Sequence, residues 1–239
     1  MKPDKSLQMK DYKAKITDML FLETNELVFA VDNAILVMDE HDEIRTLYTL
    51  PETEKKIVAL CACRAGNIVI LSEVHVRWLK NVFLTKIKFS IIVISRYGVL
   101  VKRMTYVEPF MLDDDQSPKD IKGFKMTVNT NNKLCIRKLF LYNVKAFSQR
   151  GSLMWEQEVH HPIDVESTPL GSIAVLSRSG QLFIFSSDGH FFKKIVVKNN
   201  LLYPSKYPYS FCFKNDKELL FLMEGNYIFY SFLLLYKDF

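Results

Sequence analysis

The 239-residue sequence contains few cysteines and no long run of uncharged residues. Its four cysteines are unevenly spaced, unlike the framework of a small disulfide-rich secreted domain. The longest late uncharged run, residues 225–236, is shorter than the roughly 20 residues that a membrane-spanning helix needs. No apolar signal-peptide core follows the charged start of the chain. We therefore expect a cytoplasmic protein that does not insert into a membrane.

The sequence also lacks the motifs of common catalytic and metal sites. It has no Gly-x-Ser-x-Gly elbow, no phosphate-binding loop and no His-Glu-x-x-His helix. Cys61 and Cys63 are predicted to be buried strand residues, since no further cysteine or histidine stands at zinc-ligand spacing. His160 and His161 are adjacent, and adjacent strand residues point to opposite faces, which argues against a shared metal. A turn that connects two blades is the favoured interpretation of this pair. We expect no enzyme activity, no cofactor, no metal and no small-molecule substrate.

Aromatic and β-branched residues are abundant instead. Hydrophobic residues make up 49% of the chain, with 18 Phe and 11 Tyr, so it can bury a substantial core. This composition favours strands over helices, although composition alone is a weak guide and the spacing of repeated patterns must decide.

One pattern occurs three times, as a hydrophobic residue, Ser, two variable residues and Gly. It stands at residues 94–98, 147–151 and 185–189, and each copy is followed closely by a pair of large apolar residues. Gly accepts positive φ where a chain reverses, and hydrophobic strands flank each copy. Each copy therefore predicts a β-hairpin. The spacings between glycines are irregular but centre near the length of a four-stranded propeller blade, about 40 to 50 residues.

A second pattern precedes the first, as a turn residue followed by a short apolar run. It occurs five times, beginning the apolar run at Leu27, Ile68, Leu134, Ile173 and Leu219. Another strand-like run lies before each copy, so every unit reads as strand, turn, strand, loop, strand, hairpin, strand.

The recurring order of elements predicts an all-β fold, a β-propeller with about five four-stranded blades, or six with one diverged or missing. A sandwich or barrel of many short strands is the alternative. Residues 1–15 are predicted to form an N-terminal extension and residues 16–239 the propeller domain. The predicted blades are residues 16–50, 57–107, 121–159, 162–198 and 208–239.

The unit at residues 161–197 resembles an NHL-type repeat, as found in the C-terminal propellers of tripartite-motif proteins. Phe185, the pair Asp188-Gly189, the pair Phe191-Phe192 and Ile195 match the hairpin that ends such a repeat. The Asn-His-Leu signature itself is absent. The resemblance implies recognition of protein or RNA, often beside a ubiquitin-ligase module.

Positive charge is concentrated in the predicted loops between second and third strands. The net charge is +5 and the pI is about 8.9. These loops open on one face of a propeller, so their basic and aromatic residues are candidates for partner binding. The candidates are Arg77, Trp78, Lys80, Lys86, Lys88, Arg137, Lys138 and Arg178.

We therefore predict a non-enzymatic scaffold that recognises a protein partner through the loops of one face. The alternative is an RNA-binding propeller, the substrate-recognition part of a ubiquitin-ligase system. The segment from Val74 to Phe89 is the longest insertion in any unit and is predicted to be the centre of the working surface. The competing interpretation is that this segment merely lengthens a hairpin.

Overall fold

The protein is described here by a computed structural model that places most of its predicted strands. It describes residues 16–63, 66–74, 88–106, 124–131, 133–138, 142–148, 150, 152–196, 208–213, 218–223 and 229–233. These residues contain nineteen β-strands and no helix, which confirms the prediction of an all-β fold. Within these ranges there is accordingly no helix able to cross a membrane.

The strands form five sheets, each built from consecutive antiparallel strands. Sheet 1 contains β1 (Ile16–Phe21), β2 (Leu27–Val31), β3 (Ala34–Met38) and β4 (Ile44–Thr49). Sheet 2 contains β5 (Glu54–Ala62), β6 (Ile68–Val74), β7 (Lys88–Ile94) and β8 (Leu100–Tyr106). Sheet 3 contains β9 (Phe124–Val128), β10 (Leu134–Lys138), β11 (Asn143–Phe147) and β12 (Leu153–Glu158). Sheet 4 contains β13 (Pro162–Ser167), β14 (Ile173–Ser177), β15 (Gln181–Phe185) and β16 (Phe191–Val196). Sheet 5 contains β17 (Pro208–Phe213), β18 (Glu218–Met223) and β19 (Phe229–Leu233).

The second strand of each sheet contains the residue at which the repeated apolar run begins, as predicted. Ile68, Leu134, Ile173 and Leu219 are buried in these strands, and Leu27 is half-buried. Every residue of β14 is buried, because both faces of a second strand are covered by neighbouring sheets. The outermost strand β16 is almost entirely exposed. Burial is therefore greatest in the second strands and lowest in the fourth strands.

The repeated Ser and Gly residues build the outer hairpins. The Ser95 hydroxyl accepts hydrogen bonds from the amides of Tyr97 and Val99, and Gly98 has a φ of 81°. Gly189 has a φ of 86° in the corresponding hairpin of sheet 4. Both glycines confirm the predicted turns, whereas Gly151 lies outside the described residues.

The same glycines also allow each hairpin to approach the preceding sheet. A Cβ atom built on Gly98 would lie 2.1 Å from the carbonyl oxygen of Leu47 in sheet 1. A Cβ atom on Gly189 would lie 2.6 Å from Cγ of Trp155 in sheet 3. Glycine is therefore required for packing between sheets as well as for the turn itself.

The hydrophobic core is divided into layers between successive sheets. One layer joins sheets 1 and 2, and three further layers join sheets 2 and 3, 3 and 4, and 4 and 5. The closest contacts between sheets are made by the first strands, since β1 contacts β5, β5 contacts β9, β9 contacts β13 and β13 contacts β17. The first strands therefore occupy the inner side of the assembly.

The chain segments that connect one sheet to the next lie beside the loops that join second and third strands. The amide of Leu50, between sheets 1 and 2, donates to the carbonyl of Asn33 at 2.8 Å. The amide of Arg178 likewise donates to the carbonyl of His161, between sheets 3 and 4, at 2.9 Å. Both kinds of loop therefore share one side of the molecule, which we call the connection face, as predicted. The division into an extension and a domain stays a prediction.

Candidate functional site

A group of polar residues lies on the first strands, where the sheets come closest together. Asp18 in β1, Lys125 in β9 and Asp164 in β13 occupy corresponding positions, because each pairs with the fourth residue of the adjacent second strand. Glu166 stands two residues after Asp164 in the same strand. We call Asp18, Lys125, Asp164 and Glu166 the central cluster.

Asp18 connects sheet 1 to two other sheets. Its Oδ2 accepts a hydrogen bond from the amide of Leu60 in sheet 2 at 3.0 Å. Its Oδ1 accepts a hydrogen bond from Nζ of Lys125 in sheet 3 at 2.8 Å. Sheets 1 and 3 are not consecutive, so this ion pair can form only if the first strands converge on a common centre.

Asp164 repeats the first of these contacts three sheets later. Its Oδ2 accepts hydrogen bonds from the amide of Phe211, at 3.0 Å, and from the hydroxyl of Ser210, both in sheet 5. Its Oδ1 accepts the amide of Val165 at 3.0 Å. Asp18 and Asp164 thus each bind the first strand of the next sheet, and both are buried. These contacts fix the two carboxylates in place.

Glu166 is the most perturbed acid among the described residues for which a shift is resolved. Burial raises the pKa of its carboxyl to about 8, and the negative charge of Asp164 adds to the rise. The positive charge of Lys125 and a hydrogen bond with the backbone of Ser167 lower the pKa of Glu166. The negative charge of Asp18 raises it further. Glu166 is therefore largely protonated at neutral pH.

Cys212 in sheet 5 faces the same acids. Partial burial raises the pKa of its thiol, followed by the charges of Glu166 and Asp164. Its thiol is therefore neutral at physiological pH. Part of Cys212 remains exposed although its thiol is partly buried, and Glu166 is only half-buried, so the cluster keeps access to solvent.

The arrangement is suited to holding and transferring a proton. The neutral carboxyl group of Glu166 lies near the fixed carboxylate of Asp164 and the ammonium group of Lys125, which is paired with Asp18. The side chain of Glu166 remains accessible to solvent. Such a group can donate a proton at neutral pH, as a general acid does. Within the described part of the chain, no three His, Cys, Asp or Glu residues are grouped closely enough to bind a metal ion.

The structure places only some of the predicted partner-binding residues. Arg178 is exposed in the turn between β14 and β15, on the connection face. Lys88 begins β7, and Arg137 and Lys138 end β10. The remaining candidates lie outside the described residues, namely Arg77, Trp78, Lys80 and Lys86. The convergence of these side chains stays a prediction.

The long segment after β6 begins as paired strand. Val74 pairs with Lys88, so β6 and β7 are seven residues each, longer than the corresponding strands of sheets 1, 3 and 4. The stem of the insertion thus lengthens a hairpin. The segment between these two residues lies outside the described residues.

The adjacent histidines lie in a bend between sheets 3 and 4, as expected for a turn that connects two blades, but their rings do not point to opposite faces. The rings of His160 and His161 lie 5.7 Å apart and stack, and both contact the ring of Tyr142 with centroids 5.0 Å away. The physical reason is the backbone, since His161 has a φ of 48° and lies in a bend before β13. Strand alternation does not apply at a bend.

Sequence reasoning missed the central cluster, although a signal was present. Asp18, Lys125, Asp164 and Ser210 each stand nine residues before the start of the apolar run of their unit, at 27, 134, 173 and 219. Aligning the five units on that run would have placed three charged residues at one strand position. Charged residues at a repeated inner-strand position require partners, because an isolated buried charge is costly.

Comparison with known proteins gives matches in structure alone. No family model matches the sequence, and no curated protein matches it. A gluconolactonase from Xanthomonas campestris is 14% identical with a TM-score of 0.60, over 92% of this chain and 72% of that one. Virginiamycin B lyase from Staphylococcus aureus is 12% identical with a TM-score of 0.53, over 95% of this chain and 87% of that one. The WD40 β-propeller domain of Doa1 is 9% identical with a TM-score of 0.55, over 88% of this chain and 62% of that one.

The fold is a β-propeller. This confirms the predicted fold class over the sandwich alternative, although the likeness does not extend to NHL repeats in particular. The prediction of a non-enzymatic binding scaffold, with RNA binding as its alternative, is wrong, because propellers of this shape include a gluconolactonase and a lyase. The same structures count against the prediction that the protein is not an enzyme.

Proposed function

We propose that the protein is an enzyme that transfers a proton to a small polar substrate at the central cluster, with Glu166 as the general acid. The observation that carries this proposal is the gathering of Asp18, Lys125, Asp164 and Glu166 from three sheets around one centre that stays open to solvent. This proposal departs from the sequence-based expectation that no small molecule is bound.

The residues of the cluster have different roles in the proposal. Both oxygens of Asp164 accept backbone amides, so Asp164 is a positioning residue whose charge keeps the proton on Glu166. Lys125 is held by Asp18 and limits the rise in the pKa of Glu166. Glu166 is then the group that gives its proton to the departing oxygen of a substrate as the carbon–oxygen bond breaks.

We infer that cyclic esters are the first substrates to test. A carboxyl group that is neutral at pH 7 can protonate the leaving oxygen of a lactone as the ring C–O bond breaks, while water forms the new bond to the carbonyl carbon. The proton that this water loses restores the neutral form of Glu166. One of the similar propellers is a gluconolactonase, which supports the choice of lactones without fixing it.

The test is hydrolysis of a panel of aldonolactones and short-chain γ- and δ-lactones. The rate of ring opening is measured as the rate of proton release at constant pH. We expect the wild-type protein to accelerate at least one of them. We expect the kcat/KM of Glu166→Gln to be about 100-fold lower than that of the wild type. This is the lower end of the rate effect that a general acid contributes. The wild-type kcat/KM should fall as pH rises through about 8, because the proton on Glu166 is lost there.

Glu158→Gln is the matched control, because Glu158 is an exposed carboxylate at the end of β12. It should keep full activity. No turnover of any lactone by the wild-type protein, or equal activity of Glu166→Gln with an unchanged melting temperature, would contradict the proposal.

Three finer statements belong with this proposal. We infer a ring of five blades, supported by the five sheets of the described residues, and repeats of NHL type, supported by the match of residues 185–195. We also infer a reducing compartment such as the cytoplasm, supported by the free thiols of Cys63 and Cys212.

A further inference from the structure

A cavity of about 270 Å³ lies between sheets 2 and 3. Most of its wall is apolar and includes Val69, Ile91, Val93 and Met104 of sheet 2 with Val128 and Leu134 of sheet 3. Cys63 and Asn67, in the loop between β5 and β6, add a polar part to the wall. None of the cavity residues belongs to the central cluster, so the cavity is a separate site.

The corresponding space between sheets 3 and 4 is filled by a side chain. Trp155 pairs with Ala146 one step before the bulge of its hairpin, as Lys102 pairs with Val93 one step before the bulge in sheet 2. The indole ring of Trp155 lies 6.2 Å from the ring of Phe185, and its Nε1 donates to the carbonyl of Ser187 at 3.0 Å. Sheet 2 has no indole at this position, and the cavity lies there instead.

The charges at the cavity favour an uncharged ligand. Of the lining residues that the structure describes, Lys102 alone belongs to a charged type, and it already interacts with another group of the protein. The others are apolar apart from Cys63 and Asn67. An ion would therefore lose its water without gaining a counter-ion, which is costly.

The volume and the wall also favour an aromatic ligand with two rings. An apolar cavity of about 150 Å³ in a protein core is known to bind benzene, so this larger cavity can hold a two-ring body. The thioether of Met104 in the wall can make favourable contacts with an aromatic ring. The side-chain carbonyl of Asn67 can accept one hydrogen bond, which would orient the ligand.

We propose that this cavity binds an uncharged two-ring aromatic molecule with one N–H group, of which indole is the simplest example. Its rings lie between sheets 2 and 3, and its N–H donates to the side-chain carbonyl of Asn67. The ligand takes the place that the indole of Trp155 takes one sheet further on. This site is independent of the central cluster and of the reaction proposed there.

Indole is the first probe, and benzothiophene is its counterpart, because a sulfur atom replaces the N–H group in a molecule of nearly the same shape. Each is titrated into the full chain by calorimetry. We expect one saturable site for each probe and a melting temperature that rises with probe concentration.

Asn67→Ala tests the hydrogen bond to the ligand. It should weaken indole about fivefold, as expected for loss of one neutral hydrogen bond, and leave benzothiophene unchanged. The bond from the amide of Cys63 to the backbone carbonyl of Asn67 uses no side chain and is kept. Ser172→Ala is the control, because Ser172 stands just before β14 as Asn67 stands just before β6. It should leave both affinities unchanged.

Val93→Phe tests the filling of the cavity. The added ring should abolish binding of both probes, because Val93 is part of the wall. Val99→Phe makes the same change at an exposed residue of the same hairpin and should keep both affinities. If Val93→Phe does not fold, a measurement on the wild-type protein decides.

That measurement is the rate at which iodoacetamide alkylates Cys63, followed by mass spectrometry of peptides. Cys63 lines the cavity and its thiol is free, so indole at about ten times its Kd should slow this reaction about tenfold. Alkylation of Cys212, which is not part of the cavity wall, should keep its rate.

Any of four results would overturn the proposal. They are absence of saturable indole binding, equal weakening of both probes by Asn67→Ala, wild-type affinity in Val93→Phe, and alkylation of Cys63 at the same rate with and without indole.

Discussion

Glu54 and Glu166 are two carboxyl groups on first strands, and their surroundings differ. The side chain of Glu54 is fully buried at the start of β5, where Arg103 forms an ion pair with it and the hydroxyl of Ser72 donates to it at 2.7 Å. Glu166 lies beside the negative charge of Asp164, and the ammonium group of Lys125, which lowers its pKa, is paired with Asp18.

The difference separates a structural carboxylate from a candidate functional one. A buried charge with an ion pair and a hydrogen bond is compensated and holds its sheet together. A carboxyl group whose pKa is raised by burial and by a like charge stores a proton near neutral pH, which is common at functional sites. Three substitutions test this distinction, beginning with the largest expected loss of stability.

Replacing the partner of Glu54 should cause the largest loss of stability. Arg103→Met leaves the carboxylate of Glu54 buried without its ion-pair partner, and we expect a loss of about 3 kcal/mol in the free energy of unfolding. Urea denaturation at pH 7 measures this. Arg150→Met removes an exposed arginine of sheet 3 and should change stability by less than about 0.5 kcal/mol. Equal effects of the two variants would show that Glu54 needs no ionic partner.

Glu166→Gln should change how stability depends on pH. The folded state holds the proton of Glu166 up to about pH 8, whereas the unfolded chain releases it near its model value of 4.5. The stability of the wild-type protein therefore falls as pH rises between these values, by at most about 1.4 kcal/mol per pH unit from this group. Glu166→Gln should lack this contribution and become the more stable protein toward pH 8.

Urea denaturation at several pH values between 5 and 9 measures the difference between the two proteins. Glu158→Gln should follow the wild-type curve, because Glu158 is exposed. A constant difference between Glu166→Gln and wild type across this range would show that Glu166 titrates as an ordinary carboxyl group.

Lys125→Met should have the smallest effect on stability and a distinct effect on titration. The side chain of Lys125 is 43% exposed, so loss of its pair with Asp18 should cost only about 1 kcal/mol. Its positive charge lowers the pKa of Glu166, so its removal should move the titration of Glu166 to higher pH. Lys194→Met, in the exposed strand β16, is the control and should shift neither property. A titration unchanged by Lys125→Met would mean that Lys125 does not act on Glu166.

The strands and their order were predictable because the units repeat. Ser95 and Gly98 mark a turn by local chemistry, and the apolar runs that begin at Ile68 and Ile173 mark strands whose two faces are both covered. The requirement for glycine at position 189 in the packing between sheets was not predictable, because Trp155, which lies close to Gly189, belongs to another sheet. Local patterns reveal local geometry, whereas contacts between sheets depend on how the sheets are placed.

The central cluster was missed for the same reason. Asp18 and Lys125 are 107 residues apart and match no known catalytic motif. Their proximity follows only from the convergence of first strands, and the raised pKa of Glu166 follows only from burial at that place. The distribution of charged residues along the sequence therefore indicated the basic loops and did not indicate the acidic residues on the first strands.

The ion pair between Asp18 and Lys125 also bears on the order in which the chain folds. Neighbouring strands within a sheet are joined by short loops, which close at little entropic cost, whereas this pair closes a loop of more than a hundred residues. Asp18 leaves the ribosome long before Lys125 does, and until then its Oδ1 has only the amide of Met19 and water to bind. Hairpins should thus form early and the acid site late, because the site is complete only when sheet 4, which carries Glu166, has joined sheets 1 and 3.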